Sequence, residues 1–189
     1  MFARLFNRRD VHADTAFYTA IVARSRDEAF YRDLGVPDSI DGRFDMVALH
    51  VFLIMHRLKG EGGAAEATAR RLYDIMTMDF DRTLREMGVG DSGLGRRVTA
   101  MVRGVAGRIQ AYGAALAAAD DRALEVVLDN NVYGTVHDVD PAALAAMAAY
   151  VRAQAAALAA QPLAEVLAGR PRFIPVPLPG GEPGGAHSG

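Results

Sequence analysis

The sequence holds no cysteine. That excludes disulfides, thiolate zinc sites and cysteine nucleophiles, and it fits a reducing compartment. An excess of one charge is lacking too: 21 Lys and Arg stand against 23 Asp and Glu, a formal net charge of -2. Nothing in the whole-molecule charge favours nucleic acid, and no DNA partner is expected. Long apolar runs are also missing. The longest are Met46 to Met55, interrupted by His50, and Ala142 to Val151, each about half of the ~20 residues that a membrane span needs. No span is predicted. Met1 to Arg9 form a short basic segment that turns to Asp10 and His12 before any h-region, so no secretion signal is read and a cytoplasmic location is expected. No β-hairpin signal and no fixed-period repeat occurs.

What is present is helical periodicity, from residue 10 to 169. With 189 residues, 51% hydrophobic and 23% charged, the chain is the size of one globular domain with a real core. The expected fold is all-α, a bundle of about six to eight helices. Asp10 or Asp14 could cap a first helix carrying Phe17, Ile21 and Val22. A short turn over Asp27 to Leu34 stops at Gly35-Val36-Pro37. Ser39 or Asp41 can then cap a helix of residues 42–58 that is apolar nearly all round, which predicts a central helix covered on most sides. Helices over 64–87 and from Leu94 to about Ala119 follow, joined by a glycine-rich turn. Asp120 caps a shorter helix ending at Asn130-Asn131. Asp140-Pro141 starts an alanine-rich helix to about Ala160, with a last turn from Pro162 to Leu167. The organisation read is a basic segment 1–9, a helical domain 10–170 and a Pro/Gly-rich tail 171–189, disordered from 175.

Few residues suggest chemistry. Gly88 to Gly93 spell G-x-G-x-x-G, but the dinucleotide mechanism needs a strand before the motif and another after it. Helical patterns flank it here, so it reads as a helix–helix turn. His50 and His56, six apart, fall on different helix faces, unlike a zinc pair at i and i+4. His50 reads as a buried, hydrogen-bonded histidine. His137, Asp138 and Asp140 form no recognised metal set, and no activated nucleophile is apparent. The chain reads as a binding protein and not an enzyme, with no cofactor and no metal.

Two features point to binding. Arg96, Arg97, Arg103 and Arg108 lie on one helix that carries no acid, a basic stripe able to meet phosphates or an acidic partner. Methionines concentrate at 46, 55, 76, 78, 87 and 101; thioether chains adapt to varied apolar partners. Phe2, Leu5 and Phe6 beside Arg4, Arg8 and Arg9 would form a short interfacial anchor, so peripheral membrane contact enters the reading. A generic helical adaptor for a soluble protein or RNA is the alternative that these features leave open.

The stretches Ala29-Phe-Tyr-Arg-Asp-Leu-Gly-Val-Pro-Asp38, Asp41-Gly-Arg-Phe-Asp-Met-Val-Ala-Leu-His50, Leu72-Tyr-Asp-Ile-Met76, Asp79-Phe-Asp-Arg82 and Arg85-Glu-Met-Gly-Val-Gly-Asp91 resemble the ubiquinol–cytochrome c chaperone family, in its bacterial branch. The resemblance spans roughly residues 15 to 135. It implies an all-helical assembly factor for the cytochrome bc1 complex, without catalytic residues. By that resemblance the partner is nascent or immature cytochrome b, with ribosome contact near the exit site. The contact surface expected within or beside these segments is Arg43, Asp45, Met78, Arg82, Glu86, Met87, Gly88, Gly90, Asp91 and Arg96.

Overall fold

The computed structural model describes residues 8–86, 93–118 and 120–179. Among them run eight helices and no strand: α1 (Arg8–Ser25), α2 (Glu28–Arg32), α3 (Ile40–Leu58), α4 (Gly63–Glu86), α5 (Gly93–Ala117), α6 (Arg122–Asn131), α7 (Pro141–Ala160) and α8 (Leu163–Leu167). The Met87–Gly90–Asp91 end of the expected contact surface, including Gly88, lies outside the described residues.

Helix α3 is the centre. Its start is set locally: Ser39 is extended and its hydroxyl accepts the Gly42 N–H at 3.2 Å. Gly42 is then required by a close approach, because a Cβ there would sit 2.0 Å from the Pro37 carbonyl oxygen. From Phe44 to Ile54 every residue of α3 is buried. The other long helices wrap it, α1, α4, α5 and α7 all packing against it. The α4 stripe Ala65, Thr68, Leu72, Met76 and Phe80 faces inward, with the Phe80 ring 4.0 Å from Phe44. Met46, Met76 and Met147 fill the core without exposure. Helix α7 is the one described helix long and apolar enough to cross a membrane by length and composition. Its Met147, Tyr150, Val151 and Leu158 are buried inside the bundle, while the rest of its apolar character comes mainly from alanines, many of them not buried.

His50 sits in the middle of α3 with no exposure. Its Nδ1 lies 2.8 Å from the Met46 carbonyl oxygen, an acceptor, so Nδ1 carries the proton. Nε2 must then accept, and it does so from the Tyr150 hydroxyl of α7 at 2.9 Å. Tyr150 in turn accepts from Arg24 Nε of α1 at 3.3 Å. Another arm of Arg24 donates to the Ile174 carbonyl, and a third pairs with Asp27 at 2.7 Å. Phe30 of α2 stands edge-on to both His50 and Tyr150, with centroids 5.3 and 5.0 Å away. Burial pushes His50 down to about 4, so it stays neutral as this chain of bonds requires.

The segment after α8 corrects the expectation of a tail beginning at 171. Residues 170–174 run extended along α7, held by two buried glutamines. Gln161 accepts the Arg172 N–H at 2.9 Å and donates to the Arg170 carbonyl at 2.7 Å. One level up, Gln154 accepts the Ile174 N–H at 2.8 Å and donates to the Arg172 carbonyl at 3.1 Å. Phe173, Ile174 and Val176 pack on the core. These side chains substitute for the partner strand that extended backbone otherwise needs. Residues 180–189 lie outside the described region.

Two other expectations change. Asp14 is not a helix cap: it lies inside α1, buried, ion-paired with Arg71 of α4. Arg108 does not belong to an outward basic stripe. It turns in between α3 and α6, 3.4 Å from Asp45 and 3.1 Å from the Asn131 side-chain oxygen, and its guanidinium lies 5.9 Å from the Phe44 ring centre. Asp45, expected on the contact surface, is 5% exposed and forms the inner half of this pair. Its Oδ1 has no hydrogen bond among the described residues. Burial therefore outweighs the neighbouring Arg108, and Asp45 is pushed up to about 7.

Two measurements check these assignments. Tyr150→Phe leaves His50 Nε2 and Arg24 Nε without their shared partner. Thermal or urea unfolding is expected to show a loss of about 2 kcal/mol; an unchanged midpoint would refute the network. For Asp45, the folded state keeps a proton between about pH 4 and 7 that the unfolded state has lost, so this group's contribution to stability falls as pH rises through that window. Asp45→Asn removes the effect. Its stability relative to wild type should climb from pH 4 to 8, and a flat difference would show that Asp45 is ionised throughout.

Candidate functional site

Helices α1 and α4 lie side by side across α3 and leave an open groove of about 920 Å³ between them. Each wall follows from helical spacing. Arg71, Asp74, Ile75, Met78 and Arg82 recur every three or four residues on one face of α4, and Thr15, Tyr18, Thr19, Val22 and Arg26 do the same on α1. The floor is apolar, formed by Val22, Ile75 and the Tyr18 ring. Met78 stands at the lip with 71% of its surface exposed, the most exposed of the large hydrophobic residues described.

Polar bridges join the walls without closing the groove. Tyr18 donates to Asp79 at 3.1 Å; burial and then the Asp79 carboxylate push its phenol up, so it keeps the proton it donates. Asp14 and Arg71 make the ion pair described above. Asp79 also takes Arg82 at 2.6 Å, and Arg82 reaches Glu86 at 3.8 Å. Arg26 and Asp74, also at the groove, make no ion pair among the described residues. The site thus offers a groove about three helical turns long, with a short apolar floor at its middle and charges of both signs along its edges. Such a groove suits an amphipathic or apolar helix laid along it, anchored at i, i+3 and i+7. Among the described residues no group of three or more histidines and carboxylates is gathered for a metal; Asp140 instead caps α7, accepting the Ala142 N–H at 2.9 Å.

The expected contact residues divide. Met78 and Arg82 line the groove, and Glu86 continues its α4 edge. Arg43 is exposed at the start of α3, paired with Asp38 at 2.6 Å, away from the groove. Arg96 is exposed on α5, also elsewhere. Asp45 is inside. The α1 wall was not anticipated, because Tyr18 and Asp79, which meet across it, are 61 residues apart. Val22 is half-exposed, and that opens the floor.

Comparison with known proteins adds the family. A profile of the family described as "Ubiquinol-cytochrome C chaperone" matches residues 32–173. That is later at the start than the resemblance read from the sequence, and it extends through α7, α8 and into the glutamine-held strap. The chain is 28% identical over 137 residues to ubiquinol-cytochrome-c reductase complex assembly factor 1 of Xenopus laevis, covering 72% of this chain and 68% of that protein. The human counterpart is 27% identical over the same share of this chain, which spans 45% of the human protein's length. A crystal structure of the Cbp3 homolog from Brucella abortus shares the fold with a TM-score of 0.77 and 36% identity, over 93% of this chain and 98% of that one. The α1–α4 groove therefore belongs to a member of the ubiquinol–cytochrome c chaperone family.

Proposed function

We propose that the chain is a stoichiometric assembly chaperone for the ubiquinol–cytochrome c reductase complex, holding immature cytochrome b in the α1–α4 groove and releasing it on maturation. Family membership supports the process, and relatives are named as assembly factors for that complex. The observation that carries the site is Met78, left in solvent beside Ile75 and Val22 over a groove of about 920 Å³. An exposed methionine on an apolar floor lacks cover in the free protein, and its flexible thioether can adjust to several apolar helices. Cytochrome b is a membrane subunit built of such helices, and its segments need shielding before insertion or haem binding completes the bundle.

The reading places the protein at the cytoplasmic face of the membrane, meeting its client as it is made. Arg96 and Arg103, exposed on α5, offer phosphate contacts for a nearby ribosome. Whether the client is held here is read out by photocrosslinking. A benzophenone side chain replacing Met78 is expected to capture cytochrome b in cells, while one replacing Val126, exposed on α6 outside the groove, is not. Equal capture from both positions, or none from Met78, would reject the groove as the client site.

A further inference from the structure

A second groove, about 870 Å³, opens between the end of α3, the first half of α4 and α5. Its α4 residues, Glu66, Ala69, Arg70 and Tyr73, lie roughly opposite Arg71, Ile75 and Met78 around the helix, at about 100° per residue. Helix α4 is thus a partition with one groove on each face. The second groove stays open because α5 lines it with Ala106, Gly113 and Ala114, where larger side chains would fill the space. Phe52, Met55 and Ile109 form its floor, and the Phe52 ring is backed by Tyr112 at 5.4 Å.

The charge in this groove is lopsided. Every ionisable lining group except Tyr73 comes from the corner between α3 and α4: His56, Lys59, Glu66 and Arg70; the α5 wall contributes none. Most arginines here are tied down. Arg57, in the same corner, holds Glu61 at 2.5 Å and the Leu158 carbonyl at 2.8 Å. Lys59 and Arg70, by contrast, are exposed and make no ion pair among the described residues. Partial burial, and then Lys59, hold His56 below its ordinary value, so it is neutral at pH 7. Lys59 and Arg70 against Glu66 leave the corner with one net positive charge, next to an uncharged apolar trough.

We propose that this groove binds a monoanionic phospholipid, its phosphodiester beside Lys59 and Arg70 and an acyl chain over Phe52, Met55 and Ile109. One negative charge would neutralise the corner, and the chain would cover the floor that α5 leaves open. The site would seat the protein on an anionic membrane with the Met78 groove on the far side of α4. It stands whether or not that groove holds cytochrome b.

Calorimetric titration of the full chain tests it, using lysophosphatidylglycerol and lysophosphatidylcholine of equal chain length below their micelle concentrations. The anionic lipid is expected to bind about tenfold more tightly, and the preference to vanish in a Lys59→Glu, Arg70→Glu double variant. Ala106→Trp, which fills the trough, should abolish binding of both lipids while circular dichroism and melting stay as in wild type. Equal affinity for the two lipids, a preference that survives the double variant, or binding unaffected by Ala106→Trp would each overturn the proposal.

Discussion

Burying His50 in the middle of an apolar helix creates two polar nitrogens that water cannot reach, and each needs a partner inside the protein. The Met46 carbonyl takes one, which leaves the other dependent on Tyr150 from α7. Tyr150 depends on Arg24 of α1, and Arg24 also grips the extended segment at Ile174. One desolvated imidazole thus obliges three helices and the strap to arrive in a single register. Hydrophobic burial would be satisfied by many arrangements of apolar helices around α3; the hydrogen bonds admit far fewer. The α1 wall of the groove is held by this anchor at its C-terminal end.

With α1 fixed at one end and α4 packed on α3 through Leu72, Met76 and Phe80, the space between them is a property of rigid elements. That suits the proposed holding of a client helix between them. Helix α4 spends one face on the core and leaves the two flanking faces for grooves of different character. The first has mixed charge along its edges and an exposed methionine. The second has its charge gathered at one corner. A single helix can therefore face a protein client on one side and an anionic surface on the other.

Much of this was legible in the residues. All-round apolarity from Phe44 to Met55 marked α3 as central, and Ser39 and Asp140 act as the caps that local chemistry predicts. His50 is buried and bonded, as its place in that run implies. What escaped was tertiary. Asp14 has the chemistry of a cap, but a cation across the groove claims it. Arg108 sits on a basic helix and yet turns inward, because Asp45 waits in the core. The strap was hidden by its proline content: composition suggests nothing to bury, whereas its backbone is satisfied by glutamine side chains that no periodicity reveals. The groove itself was half visible, through Met78 and Arg82, since its second wall comes from a helix distant in sequence.

The central claim is that the chain works in the assembly of the ubiquinol–cytochrome c reductase complex. A reduced-minus-oxidised spectrum of membranes from cells lacking the gene tests it most directly. The account predicts loss of the cytochrome b signal, restored when the chain is supplied again. A cytochrome b signal unchanged by the deletion would contradict it.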